Sequence, residues 1–172
     1  MAETPRIYVA CLAAYNAGTL HGEWIAANQE PEQIEGEIQA MLARSPERGA
    51  EEWAIHDHEG FCGANVTEHA SLASVAELAA FTEEHGRLGA ALVSHFCEIA
   101  EAKRALEEQS AGSGSTLACW AEELLSDTGQ LASVPENLRS YIDFEKYADD
   151  LELSGDIFTI ELDGTVHVFW SR

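Results

Sequence analysis

His56-Asp57-His58-Glu59 is the run in this chain whose residue types and spacing come closest to metal-binding chemistry. In a strand, His-x-His places both imidazoles on one face, and Glu59 could add an oxygen ligand. Only His69 offers a further nitrogen nearby. A polar loop leaving a strand accounts for the same run, so no metal is assigned. His85 and His95 are single histidines in helical stretches, the pattern of exposed or hydrogen-bonded side chains rather than catalytic ones. Adjacent acids such as Glu51-Glu52, Glu83-Glu84, Glu107-Glu108, Glu122-Glu123 and Asp149-Asp150 could in principle supply a general acid and base. Neighbours in sequence do not face each other on a helix, however. Acid–base catalysis also needs two carboxyls in contrasting environments, and the sequence shows no such contrast. There is no Walker loop, no GxGxxG and no GxSxG. The residues point to neither a catalytic centre nor a cofactor, and the expectation is a protein that is not an enzyme.

What the residues do show is charge. Thirty-one Asp and Glu stand against nine Lys and Arg, a net charge of −22 over 172 residues. The acids are not a tail: residues 1–57 hold ten, 58–114 nine and 115–172 twelve. Disordered acidic segments come in blocks and carry few aromatics. Here 46% of residues are hydrophobic, with four Trp, six Phe and four Tyr among the acids, so the chain is expected to fold. Such a coat favours solubility and opposes compaction by self-repulsion. It excludes nucleic acid as a ligand, because nothing neutralises phosphates, and disfavours anionic membranes for the same reason. Its natural partners are basic proteins or cations. A solubility or salt adaptation would account for the charge equally well.

No apolar run approaches the roughly 20 residues of a membrane span, and residues 1–6 carry no basic-then-apolar signal pattern. Cys11, Cys62, Cys97 and Cys119 are far apart and form no CxxC. That suits reduced, mostly buried thiols in a cytoplasmic protein.

The elements follow from periodicity. Arg6–Leu12, Leu20–Ala26 and Glu52–His56 read as strands, with a turn at Tyr15-Asn16-Ala17-Gly18 and a loop at His58-Glu59-Gly60. Pro31 suits the first turn of a helix whose Ile34, Ile38, Met41 and Leu42 share an apolar face, ended by Ser45-Pro46. Leu72, Val75, Ala76 and Ala79 mark a second helix, stopped at His85-Gly86. A third carries Leu88, Leu92, Phe96, Ile99 and Leu106 in one stretch, with Arg104 spaced to pair with its acids. Ser110–Ser115 reads as a linker or loop, with Ser115 capping a helix through Leu117, Trp120, Ala121 and Leu124 that ends near Gly129. Pro135 starts a helical turn, and Phe144, Tyr147, Ala148 and Leu151 mark a last helix. Asp163-Gly164 between two β-rich runs signals a hairpin. The expected fold class is α+β, an elongated chain of three small domains: an N-terminal α/β domain (1–63), a central helical domain (64–109) and a C-terminal α+β domain with a hairpin (110–172).

Several segments carry a family resemblance. Pro5-Arg6-Ile7-Tyr8-Val9-Ala10, Tyr15-Asn16-Ala17-Gly18, Leu20-His21-Gly22-Glu23-Trp24-Ile25 and Glu51-Glu52-Trp53-Ala54-Ile55-His56-Asp57 resemble the ArdA antirestriction proteins. Val134 to Glu145 is similar to that family's antirestriction motif, and the similarity runs on through Tyr147–Leu151 to Val166-His167-Val168-Phe169. The segments keep the family's order over nearly the whole chain. Gly112-Ser113-Gly114-Ser115 and Ala118-Cys119 depart from it, lying where family members usually carry more acid and fewer glycines.

The resemblance implies a non-enzymatic protein of mobile elements that forms elongated homodimers and imitates the phosphate backbone of bent DNA. Its target would be the DNA-binding groove of type I restriction–modification enzymes, at their methyltransferase core. DNA carries one charge per roughly 1.7 Å of axis, so −22 would match roughly 37 Å of duplex per subunit. The expected partner-binding acids are Glu32, Glu35, Glu83, Glu84, Glu98, Glu101, Glu107, Glu108, Glu122, Glu123, Asp127, Glu145, Asp149 and Glu152. The antirestriction-like motif maps to Pro135, Glu136, Asn137, Leu138, Arg139, Tyr141 and Ile142, as a dimer contact, a core element or an enzyme contact. The rival reading is an acidic adaptor for another basic or DNA-binding protein.

Overall fold

The computed structural model describes residues 4–171. The fold is mixed α and β, built on two three-stranded antiparallel sheets in two compact units, Met1–Ile99 and Ala100–Arg172. No helix among the described residues is long and apolar enough to cross a membrane.

In the first unit β1 (Arg6–Cys11) leads through a short helix α1 (Leu12–Asn16) to β2 (Gly22–Ala26). Helix α2 (Pro31–Ala43) and strand β3 (Trp53–Glu59) follow, and the sheet order is β2-β1-β3. The turn expected at 15–18 is thus partly helical, and β3 runs three residues past His56, taking in His58 and Glu59 of the loop expected at 58–60. Strand alternation sends Ile7, Val9, Ile25 and Ile55 inward. On the other face Tyr8 meets Trp24 at 5.5 Å, the Arg6 guanidinium lies 5.1 Å from the Trp24 ring, and Arg6 pairs with Glu59. Helix α2 starts at Pro31, where the Gln33 side chain accepts the Glu30 N–H at 3.3 Å. Its Ile34, Ile38, Met41 and Leu42 are all buried, as their spacing predicts.

Helix α3 (Leu72–Phe96) is capped by Ser71, whose side chain accepts the Ser74 N–H at 3.1 Å. The expected stop at His85-Gly86 is a break within it: Gly86 sits at φ 57°, ψ −143°, and helix resumes beyond. Val75, Leu78, Ala79 and Ala90 from both halves join the sheet residues in one buried core. The stretch expected to run unbroken to Leu106 ends at Phe96, because Cys97 turns left-handed at φ 58° with its N–H bonded to Val93 O.

The second unit continues with α4 (Ile99–Arg104), a wide turn over Ala105–Gln109 and β4 (Ser110–Gly114). Strand β4 corrects the linker reading of Ser110–Ser115. Serine and glycine have little strand propensity, yet this run pairs with the last strand and is pinned from one side by Trp120, whose indole N–H donates to Ala111 O at 2.8 Å. The glycines let the backbone approach: a Cβ on Gly114 would lie 2.8 Å from Thr116 O and 3.0 Å from Trp120 N. Thr116, not Ser115, caps α5 (Leu117–Asp127). A helical turn α6 (Glu136–Arg139) and helix α7 (Phe144–Ser154) precede the hairpin of β5 (Ile157–Leu162) and β6 (Thr165–Trp170). Asp163 and Gly164 both take positive φ, 51° and 78°, as a two-residue primed turn requires. The sheet order is β4-β6-β5, and Trp120, Ala121, Ala148, Ile157 and Val168 form the core between it and α5 and α7.

Two glycines separate close packing from free space. Gly114→Ala forces backbone atoms apart and should destabilise by about 1–3 kcal/mol. Gly36→Ala, on α2 with nothing within 4 Å of the added carbon, should stabilise by about 0.5–1 kcal/mol through helix propensity. Urea unfolding followed by tryptophan fluorescence should move the midpoint down for the first and up for the second.

Candidate partner-binding surface

Carboxylates cover both units. Residues 1–99 carry sixteen acids against four Lys and Arg, net −12, and residues 100–172 fifteen against five, net −10. Among the described residues every carboxylate side chain is exposed or half-buried, and none is buried. Nine cations cannot match thirty-one acids, so complete one-to-one pairing would still leave 22 unpaired.

Of the expected partner-binding acids, Glu32, Glu83, Glu84, Glu98, Glu107, Glu108, Glu122, Glu123, Asp127, Glu145, Asp149 and Glu152 are exposed, while Glu35 and Glu101 are half-buried. Several already have protein partners. Arg104 Nη2 pairs with Glu101 at 2.6 Å, the i,i+3 pairing read from the sequence. Asn28 donates to Glu83 at 3.0 Å, Gln39 to Glu35 at 2.7 Å and Thr159 to Glu152 at 2.6 Å. The acids of the second unit do not share one patch. Glu123 and Asp127 line a groove of about 250 Å³ along β4, whereas Glu145 and Asp149 line another of about 230 Å³ at the start of α5. Glu37, Glu51, Glu52, Asp150, Asp156 and Glu161 are as exposed as the acids singled out from sequence. Of these, Glu51, Glu52, Asp156 and Glu161 lie on loops or a strand, where helical periodicity gives no signal, whereas Glu37 and Asp150 lie on α2 and α7 beside acids that were singled out.

The motif residues Pro135, Glu136, Asn137, Leu138, Arg139 and Tyr141 are exposed and Ile142 is half-buried. Leu138 keeps 49% and Tyr141 83% of its surface in contact with solvent, so neither belongs to the core of its own unit. The Arg139 guanidinium donates to Val134 O at 3.1 Å, closing the turn that presents them. His56 and His58 do line one cleft, but among the described residues no three His, Cys, Asp or Glu converge as a metal site.

The family model of the antirestriction protein ArdA matches residues 7–165. The chain belongs to the ArdA antirestriction family. Comparison with curated proteins returns no match. The match takes in the first sheet from Ile7 on, strands β4 and β5 of the second and the whole motif, and ends at the first residue of β6. Membership of an antirestriction family points to restriction–modification enzymes as the class of target.

All four cysteines are free thiols, but only Cys11 is buried, and Cys97 and Cys119 are exposed, against the sequence expectation. Cys119 lies in the first turn of α5, where hydrogen bonds with the Thr116 and then the Ser115 hydroxyl hold its thiol below the ordinary cysteine range. The Ser115 hydroxyl lies 3.6 Å from the sulfur. A lowered pKa favours the thiolate, which is the nucleophile. Iodoacetamide should therefore alkylate Cys119 with a half-point at lower pH than a simple unstructured thiol. Ser115→Ala should raise that half-point, as peptide mapping across a pH series would show.

Proposed function

We propose that this chain is a DNA mimic that inhibits type I restriction–modification enzymes by occupying their DNA-binding groove. The observation that carries the reading is the excess of solvent-facing carboxylate on both units, which nine cations cannot neutralise. A groove built to bind phosphates presents Lys and Arg, and a folded surface of fixed carboxylates offers them what a phosphate backbone does. The family supplies antirestriction, and the charge supplies a mechanism that needs no catalysis. The reading places the chain in the cytoplasm, where restriction enzymes act, and on a mobile element that must survive them.

Competition is measured by adding the protein to a labelled complex of DNA with a purified type I methyltransferase core. Free DNA should appear in proportion to inhibitor. A stable ternary complex would overturn competition. Capture of some other basic protein without effect on the methyltransferase would support the adaptor reading.

Inhibition should rest on many acids, each contributing little. Exposed ion pairs contribute about 0.2–1 kcal/mol each and are screened by salt. Glu123→Gln alone should change the inhibitory concentration less than about fivefold. Neutralising Glu122, Glu123, Glu145 and Asp149 together should raise it at least about tenfold. Binding should weaken steeply between low and physiological salt.

The protein is also proposed to act as a homodimer, with Leu138, Tyr141 and Ile142 of the motif as the contact. Two large apolar side chains held in solvent on one turn suit a self-complementary patch. Tyr141→Asp should give a monomer by light scattering with an unchanged circular dichroism spectrum. A monomeric mass for the unaltered protein at micromolar concentration would reject the dimer.

A further inference from the structure

A cleft of about 520 Å³ opens beside strand β3. Tyr15 of α1, His56, Asp57 and His58 of β3, and Asn65 and Glu68 of the following loop line it. A bulge, a ring contact and three hydrogen bonds from backbone N–H groups fix its shape. The β1–β3 register passes from Tyr8↔Asp57 to Val9↔Ile55, leaving His56 as the extra residue of a bulge. Bulges re-aim side chains, and His56 meets the Tyr15 ring edge-on at 4.9 Å. The loop is tied back to the strand, with the Ile55 N–H donating to Glu68 O at 3.1 Å. The Val66 N–H donates to His58 Nε2 at 3.2 Å, which fixes that ring with its proton on Nδ1. Asp57 is held by the His58 N–H at 2.8 Å on Oδ1. Among the described residues the Glu68 carboxylate and the Asn65 side chain make no hydrogen bond to protein.

The lining selects its ligand. Asp57 and Glu68 repel anions, and no Lys or Arg lines the cleft. Among the described residues no three His, Cys, Asp or Glu come together, so a divalent ion would find too few ligands at once. The lining suits a cation broad enough to reach two carboxylates and flat enough to stack on the exposed ring of Tyr15. A guanidinium has five donors in a plane and stacks on rings, whereas an ammonium is a compact point charge. We propose that this cleft seats an arginine side chain of the partner protein, its guanidinium held by Asp57 and Glu68 and its flat face on the exposed Tyr15 ring, which His56 braces edge-on. The proposal rests on the reading that the partner is a basic DNA-binding protein, and it adds one position where charge matching gives way to shape.

Two measurements separate the cleft from that reading. The full chain is first titrated with N-acetyl-arginine amide, its lysine counterpart and its uncharged citrulline isostere, followed by NMR. The arginine probe should shift Tyr15, His56 and His58 signals saturably, the citrulline probe should not, and Asp57→Asn/Glu68→Gln should abolish the shifts. Equal shifts with citrulline, or none at the cleft, would overturn the proposal whether or not the protein inhibits any enzyme. Inhibition is then compared between Asp57→Asn/Glu68→Gln and Glu122→Gln/Glu123→Gln, which remove the same charge. The cleft variant should lose about tenfold and the helix variant no more than about threefold. Tyr15→Ala, which alters no charge at an exposed position, should lose about threefold with an unchanged circular dichroism spectrum. Equal losses in the two charge variants, with Tyr15→Ala at parental strength, would overturn the cleft as a partner contact.

Discussion

The constraint on which the rest depends is the shortage of cations. With nine Lys and Arg for thirty-one acids, the chain cannot neutralise itself by ion pairing. Burying an unpaired carboxylate is far too costly, so every acid must reach water. Helices α2, α5 and α7 therefore bury an apolar face and turn their acids outward, and each unit packs a small sheet against its helices. The few pairs that form sit at the margins. Arg6 with Glu59 closes the outer face of the first sheet, Arg44 reaches Glu23 at 2.6 Å, and Arg104 reaches Glu101. These cations fasten strand and helix edges, and most carboxylates stay without a cationic partner.

Self-repulsion of this size must be opposed by apolar burial, and thin layers offer little of it. Both units respond with close packing at a few points. In the first, Ile7, Val9, Ile34, Ile38 and Met41 are fully buried between sheet and helices. In the second, Trp120 fills the core, holds Ala111 by its indole N–H and leaves no room for a side chain at Gly114. A strand of Ser, Ala and Gly survives there because a neighbour and a tryptophan supply what its own side chains cannot.

Much of this was legible in the residues. The α2 face, the α3 break at Gly86, the Asp163-Gly164 hairpin and the lone helical turn after Pro135 all follow from local rules of periodicity, left-handed glycine and proline. The misreadings share a cause. Ser110–Gly114 has loop composition, and its strand character comes from β6, more than fifty residues on. The helix ending at Phe96 stops at a left-handed cysteine, which no propensity favours. Exposure of Cys97 and Cys119 likewise depends on tertiary placement. The acids could be named singly, but which share a groove could not. Glu123 with Asp127 and Glu145 with Asp149 have the same four-residue spacing, yet the packing of α5 against α7 and β4 sends them to separate grooves.

Charge alone gives a surface that attracts any basic protein, so selectivity must come from features charge does not specify. The structure holds two of a different kind. The turn after Pro135 lifts Leu138 and Tyr141 into solvent, an arrangement that costs stability unless something covers them. The cleft at His56 orders the Asp57 carboxylate and the His58 ring by a bulge and by backbone hydrogen bonds. Exposed acids on helices are free to change rotamer and follow many cationic surfaces. A carboxylate held at one oxygen beside a fixed ring is not, so it favours a cation of one shape. A diffuse charge lattice speeds encounter and tolerates varied targets, while a small preorganised cleft sets register once contact is made. On the proposed function both would serve, because phosphate-binding surfaces differ in detail while sharing their sign.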